Sequence, residues 1–142
     1  MHTKQLLLLA PMVLALAADA PLVEPKDLAA QLSGTGVRPA VFQVGPNVLY
    51  RSKHIPHAIF AGPGSKPEGI LLIKAAASKL AKDDEVVIYC GCCPMVKCPN
   101  IRPAYDTLKK LGFTHIRVLD VETNMHDDWF DRGFPAETGD KP

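Results

Sequence analysis

Apolar and polar positions follow one another along the chain in blocks that predict strands and helices in turn. Apolar runs rich in β-branched residues predict four strands, at 40–44, 58–60, 86–89 and 115–119. Apolar positions at helical spacing predict three helices, at 24–34, 70–82 and 102–112. The stretch GPNVLYRSKHIPHA shows neither pattern and is predicted to be a loop. This alternation favours an α/β fold with a central, mainly parallel sheet flanked by helices.

Length, composition and charge limit the classes of protein to which the chain can belong. The chain has 142 residues, which is typical of one domain. It is 47% hydrophobic and 22% charged, which is enough to bury one modest core. The formal net charge is +1 and no cluster of Lys and Arg stands out. A nucleic acid is therefore not an expected partner.

The first residues have the layout of a secretory signal peptide. Lys4 precedes an apolar run from Leu6 to Ala17, and the run closes on the A-x-A sequence Ala15-Leu16-Ala17. The run is too short for a comfortable transmembrane helix, and Pro11 interrupts it. We predict a signal peptide over residues 1–17, export to the periplasm or the extracellular space, and no stable membrane insertion after cleavage. An uncleaved N-terminal anchor is the alternative.

All four cysteines lie within nine residues, at positions 90, 92, 93 and 98. They cannot link distant parts of the chain, so a framework of disulfides is not expected. Cys90 directly follows the predicted strand 86–89, and reactive sites in parallel α/β sheets lie at the carboxyl ends of central strands. Asn100 is predicted to cap the next helix. The free N–H groups and positive dipole end of that helix would then stabilise a thiolate in the loop.

Three motifs occur in a fixed order along the chain: HIPHAIF (54–60), VVIYC (86–90) and DDWFDRGFPAE (127–137). They resemble the G-H-I-P-G-A signature, the strand ending in the catalytic cysteine and the closing W-x-x-x-G-x-P motif of the single-domain rhodaneses, a family of sulfurtransferases. KKLGF (109–113) stands where that family has a leucine-rich helix ending in Gly-Phe. The resemblance implies a rhodanese-like domain over 24–138, between an N-terminal segment (18–23) and a C-terminal tail (139–142).

The chain also departs from the family pattern. Gln43 and Gly45 stand in the first strand where the family often has the aspartate of L-I-D-V-R. Lys53 and His57 replace the two glycines of G-H-I-P-G-A, and Met95 stands where the short active loop C-x-x-G-x-R has its arginine. The loop is longer than usual. Related phosphatases have long loops too, but this one lacks their C-x5-R pattern.

The resemblance implies a chemistry for the loop. Cys90 would take a sulfane sulfur from thiosulfate or a persulfide, and pass it to a thiol or a cyanide-like acceptor through a Cys90 persulfide. No cofactor is expected. Lys97 or Arg102 would attract the anionic donor, and backbone N–H groups would bind it; the candidates for that binding are Gly91, Cys92, Cys93, Met95, Val96 and Lys97.

Other interpretations of the cysteines stay open. In thiol–disulfide chemistry, Cys92 or Cys93 would resolve an oxidised Cys90, and Cys98 would pair with one of them. The pattern C-x-C-C-x4-C also offers four soft ligands for zinc, copper(I) or an iron–sulfur cluster, although it lacks paired C-x2-C spacing and looks crowded. A binding module without catalysis is a further alternative. We predict a nucleophile loop with a free Cys90, one disulfide involving Cys98 and no metal.

Three further residues have predicted roles outside the loop. His54 is expected to order the segment before the second strand rather than to do chemistry. Trp129 is expected to lie in the core, inside a solvated acidic turn made by DDWFD (127–131). His126 lies where the family's last loop approaches the site, and a solvated turn is favoured there over a contact with substrate.

Overall fold

The computed structural model describes residues 20–139, and the predicted signal peptide lies outside them. Five strands and four helices alternate along this part of the chain. The strands are β1 (Leu22–Val23), β2 (Ala40–Gln43), β3 (Ile59–Phe60), β4 (Glu85–Tyr89) and β5 (His115–Leu119). The helices are α1 (Pro25–Ser33), α2 (Asn47–Ser52), α3 (Pro67–Ala77) and α4 (Ile101–Lys110). A 3-10 turn at Met95–Lys97 and a π-helical turn at His126–Phe130 complete the described elements.

The strands form one sheet in the order β1-β5-β4-β2-β3, and every neighbouring pair is parallel. β4 lies at the centre, with Val86 beside Ala40 of β2 and beside Ile116 of β5. The prediction of an α/β fold with a central parallel sheet is confirmed. Because parallel strands all end at the same edge, the carboxyl ends of β2 and β4 bring their following loops together.

Both faces of the sheet are covered, which explains why β4 is apolar throughout. Val86 and Ile88 of β4 pack on one side, in a cluster that includes residues of α3 and α4 such as Ile73 and Leu108. Val87 and Tyr89 face the other side; the cluster there includes Val23, Leu28, Leu32, Val41, Tyr50 and Trp129. Alternate residues of one short strand therefore serve two cores.

Two elements were not predicted from the sequence, and a third has different bounds. The segment predicted as a loop contains α2, whose buried residue is Tyr50. A six-residue helix offers too few turns for an apolar stripe to be visible in the sequence. β1 falls in the predicted N-terminal segment 18–23, where a two-residue strand gives no periodic signal. α3 also begins earlier and ends earlier than predicted, with Pro67 in its first turn, where a missing N–H costs no helical hydrogen bond.

The segment after β5 packs against the same body. Trp129 is fully buried, and its Nε1–H donates to the carbonyl of Pro135 over 2.8 Å. His54 and Glu137 exchange two backbone hydrogen bonds of 2.8 Å. The predicted solvated turn is only partly correct, because Asp128 is buried and accepts a bond from the Thr123 N–H. No helix among residues 20–139 is long and apolar enough to cross a membrane.

His54 is a structural residue, as predicted. Its ring is fully buried and stacks on Tyr50 with a centroid separation of 3.9 Å. Nδ1 lies 2.7 Å from the Tyr50 carbonyl, and Nε2 lies 3.6 Å from a carboxylate oxygen of Glu137. These contacts fix the turn between α2 and β3.

Candidate functional site

Cys90 occupies the first position after β4, at the carboxyl edge of the sheet. It is 4% exposed, so its thiol lies beneath the loop that follows. The loop turns at once, because Gly91 has a φ of +91°, a conformation that glycine adopts without strain. This turn places Cys92, which is exposed, back above Cys90.

Backbone hydrogen bonds hold the rest of the loop in a compact form. The Met95 N–H donates to the Val121 carbonyl over 2.8 Å, which ties the loop to the segment after β5. Within the 3-10 turn, the Lys97 N–H donates to Pro94 and the Cys98 N–H donates to Met95. The chain therefore returns Cys98 to the neighbourhood of Cys90.

The four thiol sulfurs form one cluster. Sγ of Cys90 lies 3.2 Å from Sγ of Cys92, and Sγ of Cys92 lies 2.8 Å from Sγ of Cys93. All four Sγ atoms lie within 4.8 Å of one another. The loop looks crowded in the sequence, yet its four sulfurs converge on one place. All four are free thiols in this structure, and the Cys98 disulfide stays a prediction for the oxidised chain.

Asn100 contributes to the site by a route that the sequence did not indicate. Its side chain makes no capping bond to α4. Instead Nδ2 donates to the Cys90 sulfur over 3.3 Å, and Oδ1 accepts from the Ser65 N–H over 3.0 Å. Asn100 is 4% exposed, so its amide is a fixed donor to the thiol. Asn100 therefore occupies the predicted N-cap position of α4, but its side chain serves Cys90 instead of the helix.

Two residues at the end of β2 support Cys90 from the other side. The buried Gln43 donates through Nε2 to the Cys90 carbonyl over 3.0 Å, and its Oε1 accepts from the Gly45 N–H. A Cβ at Gly45 would lie 2.0 Å from the Cys90 carbonyl oxygen and 3.0 Å from its sulfur. Glycine is thus required for the close approach of the two loops. Gln43 and Gly45 both depart from the family pattern. That departure was the one feature of the sequence that could have indicated their role beside Cys90.

The hydrogen bonds within the cluster separate the pKa values of its thiols. The pKa of Cys90 is raised, first by its hydrogen bond with Cys98 and then by burial, while Asn100 and the Cys92 N–H lower it. The pKa of Cys98 is lowered to about 6, first by that same bond and then by the N–H groups of Asn100 and Ile101. The N-terminus of α4 therefore faces Cys98 rather than Cys90. The pKa of Cys93 is raised to about 12, first by burial.

Several of the predicted substrate-binding residues line two different cavities. Gly91 lines a cavity of about 340 Å³, together with Lys53, Met125, His126 and others. Val96 and Arg102 line a different cavity of about 450 Å³, on the side of Cys98. The prediction that Met95 and Lys97 offer free N–H groups to an anion is wrong, because both groups are bonded within the protein.

The Gly91 cavity combines an apolar wall with positive charge. Leu49, Met125 and Phe130 line it beside Ser52, Lys53 and His126. The Lys53 ammonium lies 5.2 Å from the centre of the Phe130 ring, where a cation and an aromatic face attract each other. Tyr89 at the end of β4 forms part of the lining. The sequence indicates no functional role for Lys53, because the residue stands out there only as a replacement for a family glycine.

The chain belongs to the rhodanese-like domain family, whose model matches residues 24–121, more than half of the chain. This family is of the sulfurtransferase type, and the resemblance recognised in the sequence is confirmed. No curated protein matches the chain in sequence.

Solved structures share the fold. The BH2092 protein from Bacillus halodurans is 21% identical, with a TM-score of 0.65, over 84% of this chain and 77% of that one. The Alr3790 protein from Anabaena sp. is 20% identical, with a TM-score of 0.63, over 82% and 92%. A rhodanese-like domain protein from Staphylococcus aureus is 17% identical, with a TM-score of 0.57, over 84% and 99%. At these identities the likeness concerns the fold alone.

Proposed function

We propose that this protein is a sulfurtransferase that carries a sulfane sulfur as a persulfide on Cys90. The observation that carries the proposal is the position of Cys90, which directly follows the central strand of a rhodanese-like sheet and receives a hydrogen bond from Asn100. Cys98 and burial raise the pKa of Cys90, and Asn100 and the Cys92 N–H oppose that rise. These two groups therefore favour the thiolate, which is the nucleophilic form of cysteine.

The reaction balances without an external oxidant. The Cys90 thiolate attacks the outer sulfur of thiosulfate, the sulfur–sulfur bond of the donor breaks, and sulfite leaves with the electron pair. The terminal sulfur of the new Cys90 persulfide is then attacked by cyanide or a thiol. The bond to Cys90 breaks, the acceptor keeps the sulfur, and the Cys90 thiolate is restored.

The Gly91 cavity is the proposed binding place for the small anionic donor. Lys53 and His126 supply positive or hydrogen-bonding groups, and the apolar wall suits a donor with a small organic part. Cys92 is exposed, and its sulfur lies 3.2 Å from that of the buried Cys90.

Thiosulfate:cyanide sulfurtransferase assays of matched serine variants test the proposal. Cys90→Ser is expected to abolish activity, because oxygen at this position forms no persulfide. Cys92→Ser and Cys93→Ser are expected to keep at least part of it, and serve as controls on the same loop. Full activity in Cys90→Ser would exclude Cys90 as the carrier. An inactive wild-type chain would favour thiol–disulfide chemistry instead.

A further inference from the structure

The four sulfurs have nearly the separations that a metal ion imposes. Zinc binds thiolate sulfur at about 2.3 Å, so the sulfurs of a tetrahedral site are about 3.8 Å apart. Here every separation is at most 4.8 Å, and the sulfurs of Cys92 and Cys93 are 2.8 Å apart. To reach that edge, the longest separation would contract by at most about 1 Å and the Cys92–Cys93 pair would open by about 1 Å.

We propose that Cys90, Cys92, Cys93 and Cys98 together bind one thiophilic d10 cation, Zn²⁺ or Cu⁺. Soft thiolate ligands select these ions over hard cations such as Mg²⁺ or Ca²⁺. This proposal departs from the sequence-based prediction that the loop binds no metal. Binding of the ion does not depend on sulfur transfer.

The loop is already folded into the shape that this ion needs. Gly91 reverses the chain between Cys90 and Cys92, and the 3-10 turn brings Cys98 back. The Met95 bond to Val121 anchors the loop between them. A site whose ligands are ordered before binding loses less conformational entropy when the ion arrives.

Hydrogen-bond donors around the sulfurs match a charged metal–thiolate centre. Cys90 receives a hydrogen bond from the Asn100 side chain. Cys98 lies just before α4, whose first N–H groups have no partner within the helix. Outer donors of this type orient the ligands and hold the excess negative charge of several thiolates.

Burial and access also fit an ion that binds and leaves. Cys90 and Cys98 are buried, at 4% and 8% exposed, and form the floor of the cluster. Cys92 is exposed and forms its open side. A disulfide between Cys92 and Cys93 is disfavoured, because adjacent Cα atoms lie about 3.8 Å apart, below the usual lower limit of about 4.4 Å.

A bound ion would also block sulfur transfer. Only this part of the inference rests on the proposed function. An ion that holds the Cys90 thiolate removes the nucleophile, so occupancy excludes persulfide formation. Metal and sulfur donor would then compete for one thiol.

Anaerobic titration of the reduced, full chain tests the site. Zn²⁺ is titrated against a chromophoric zinc chelator, and Cu⁺ against a chromophoric copper(I) chelator. One ion per chain is expected in at least one titration. Cys90→Ser and Cys98→Ser should weaken that binding by more than the roughly 10–100-fold that loss of an outer-shell partner costs. His126→Ala is the control, since His126, Asp127 and Asp131 form the other group of potential ligands in the described chain.

Alkylation of the wild-type chain keeps the test independent of variant folding. The bound ion should protect Cys90 from iodoacetamide, and prior alkylation should prevent binding. The inference is overturned if neither ion binds at one per chain, or if the Cys90→Ser/Cys98→Ser double variant binds as tightly as the wild type. Persulfide loading of the metal-free wild type separates the two proposals. Loading without ion binding rejects the metal site, and ion binding without loading rejects sulfur transfer but leaves the site.

Discussion

Replacing Asn100 by alanine removes the side-chain donor to the Cys90 sulfur. The cleanest background is a chain in which Cys92, Cys93 and Cys98 are serine, so that Cys90 is the only thiol. Asn100 lowers the pKa of Cys90 through this bond, so its loss should reduce the thiolate fraction at any pH below that pKa. Alkylation of Cys90, which requires the thiolate, should become slower.

The size of the effect follows from the geometry. A hydrogen bond to a charged group contributes about 1.5–3 kcal/mol. We take the lower end for the bond from Asn100 to Cys90, because sulfur is a weaker acceptor than oxygen. About 1.5 kcal/mol corresponds to roughly tenfold less thiolate. A thiolate of higher pKa is intrinsically more nucleophilic, so the remaining thiolate is alkylated about threefold faster. The expected net result is alkylation about fourfold slower.

The rate of iodoacetamide labelling at fixed pH, followed by intact mass, measures this effect. Thr107→Ala is the matched control, because it removes a hydrogen bond of 2.7 Å to Pro103 within the same helix and leaves Cys90 untouched. Asn100→Ala should also cost about 1 kcal/mol of unfolding free energy, since the Ser65 N–H loses its acceptor. Equal labelling rates in the parent chain and Asn100→Ala, or equal slowing by both variants, would refute the assigned role.

Three further predictions concern stability and export. Gly45→Ala should lower the unfolding free energy by about 1–3 kcal/mol in urea titrations, because its Cβ would lie 2.0 Å from the Cys90 carbonyl oxygen; an unchanged midpoint would contradict the close approach. Tyr89→Phe should lower the unfolding free energy by about 1–3 kcal/mol, because the Ile55 N–H loses the Tyr89 hydroxyl that accepts its bond over 3.2 Å. Wild-type stability of this variant would show that the buried bond is dispensable. We also propose export, with a mature N-terminus at or near Ala18, which sequencing of an extracytoplasmic fraction checks; an intact Met1 form in the cytosol would rule it out.

The long apolar runs predicted the sheet well. VVIY and HIRVL coincide closely with β4 and β5, because strands buried on both faces leave an unbroken apolar signal. α2 and β1 escaped prediction because six and two residues are too few to show a period. The position of Cys90 at a strand end was predictable, since it depends on local order along the chain.

The internal arrangement of the site was not predictable in the same way. The spacing of Asn100 suits a helix cap, but its side chain turns to Cys90, ten positions earlier in the chain, because the sheet brings these loops together. Gln43 reaches the same cysteine from another strand. Convergence of the four sulfurs depends on the Gly91 turn and on the bond between Met95 and Val121. Such long-range contacts are set by the fold rather than by spacing.

Peptide mapping of the reduced, metal-free wild-type chain after exposure to thiosulfate tests whether Cys90 carries the sulfur. We expect one added sulfur, located on Cys90 by fragmentation, removed by cyanide and missing from the Cys90→Ser variant. An added sulfur that resides on Cys92, Cys93 or Cys98 and persists in Cys90→Ser would contradict it, as would a Cys90 that gains no sulfur under these conditions.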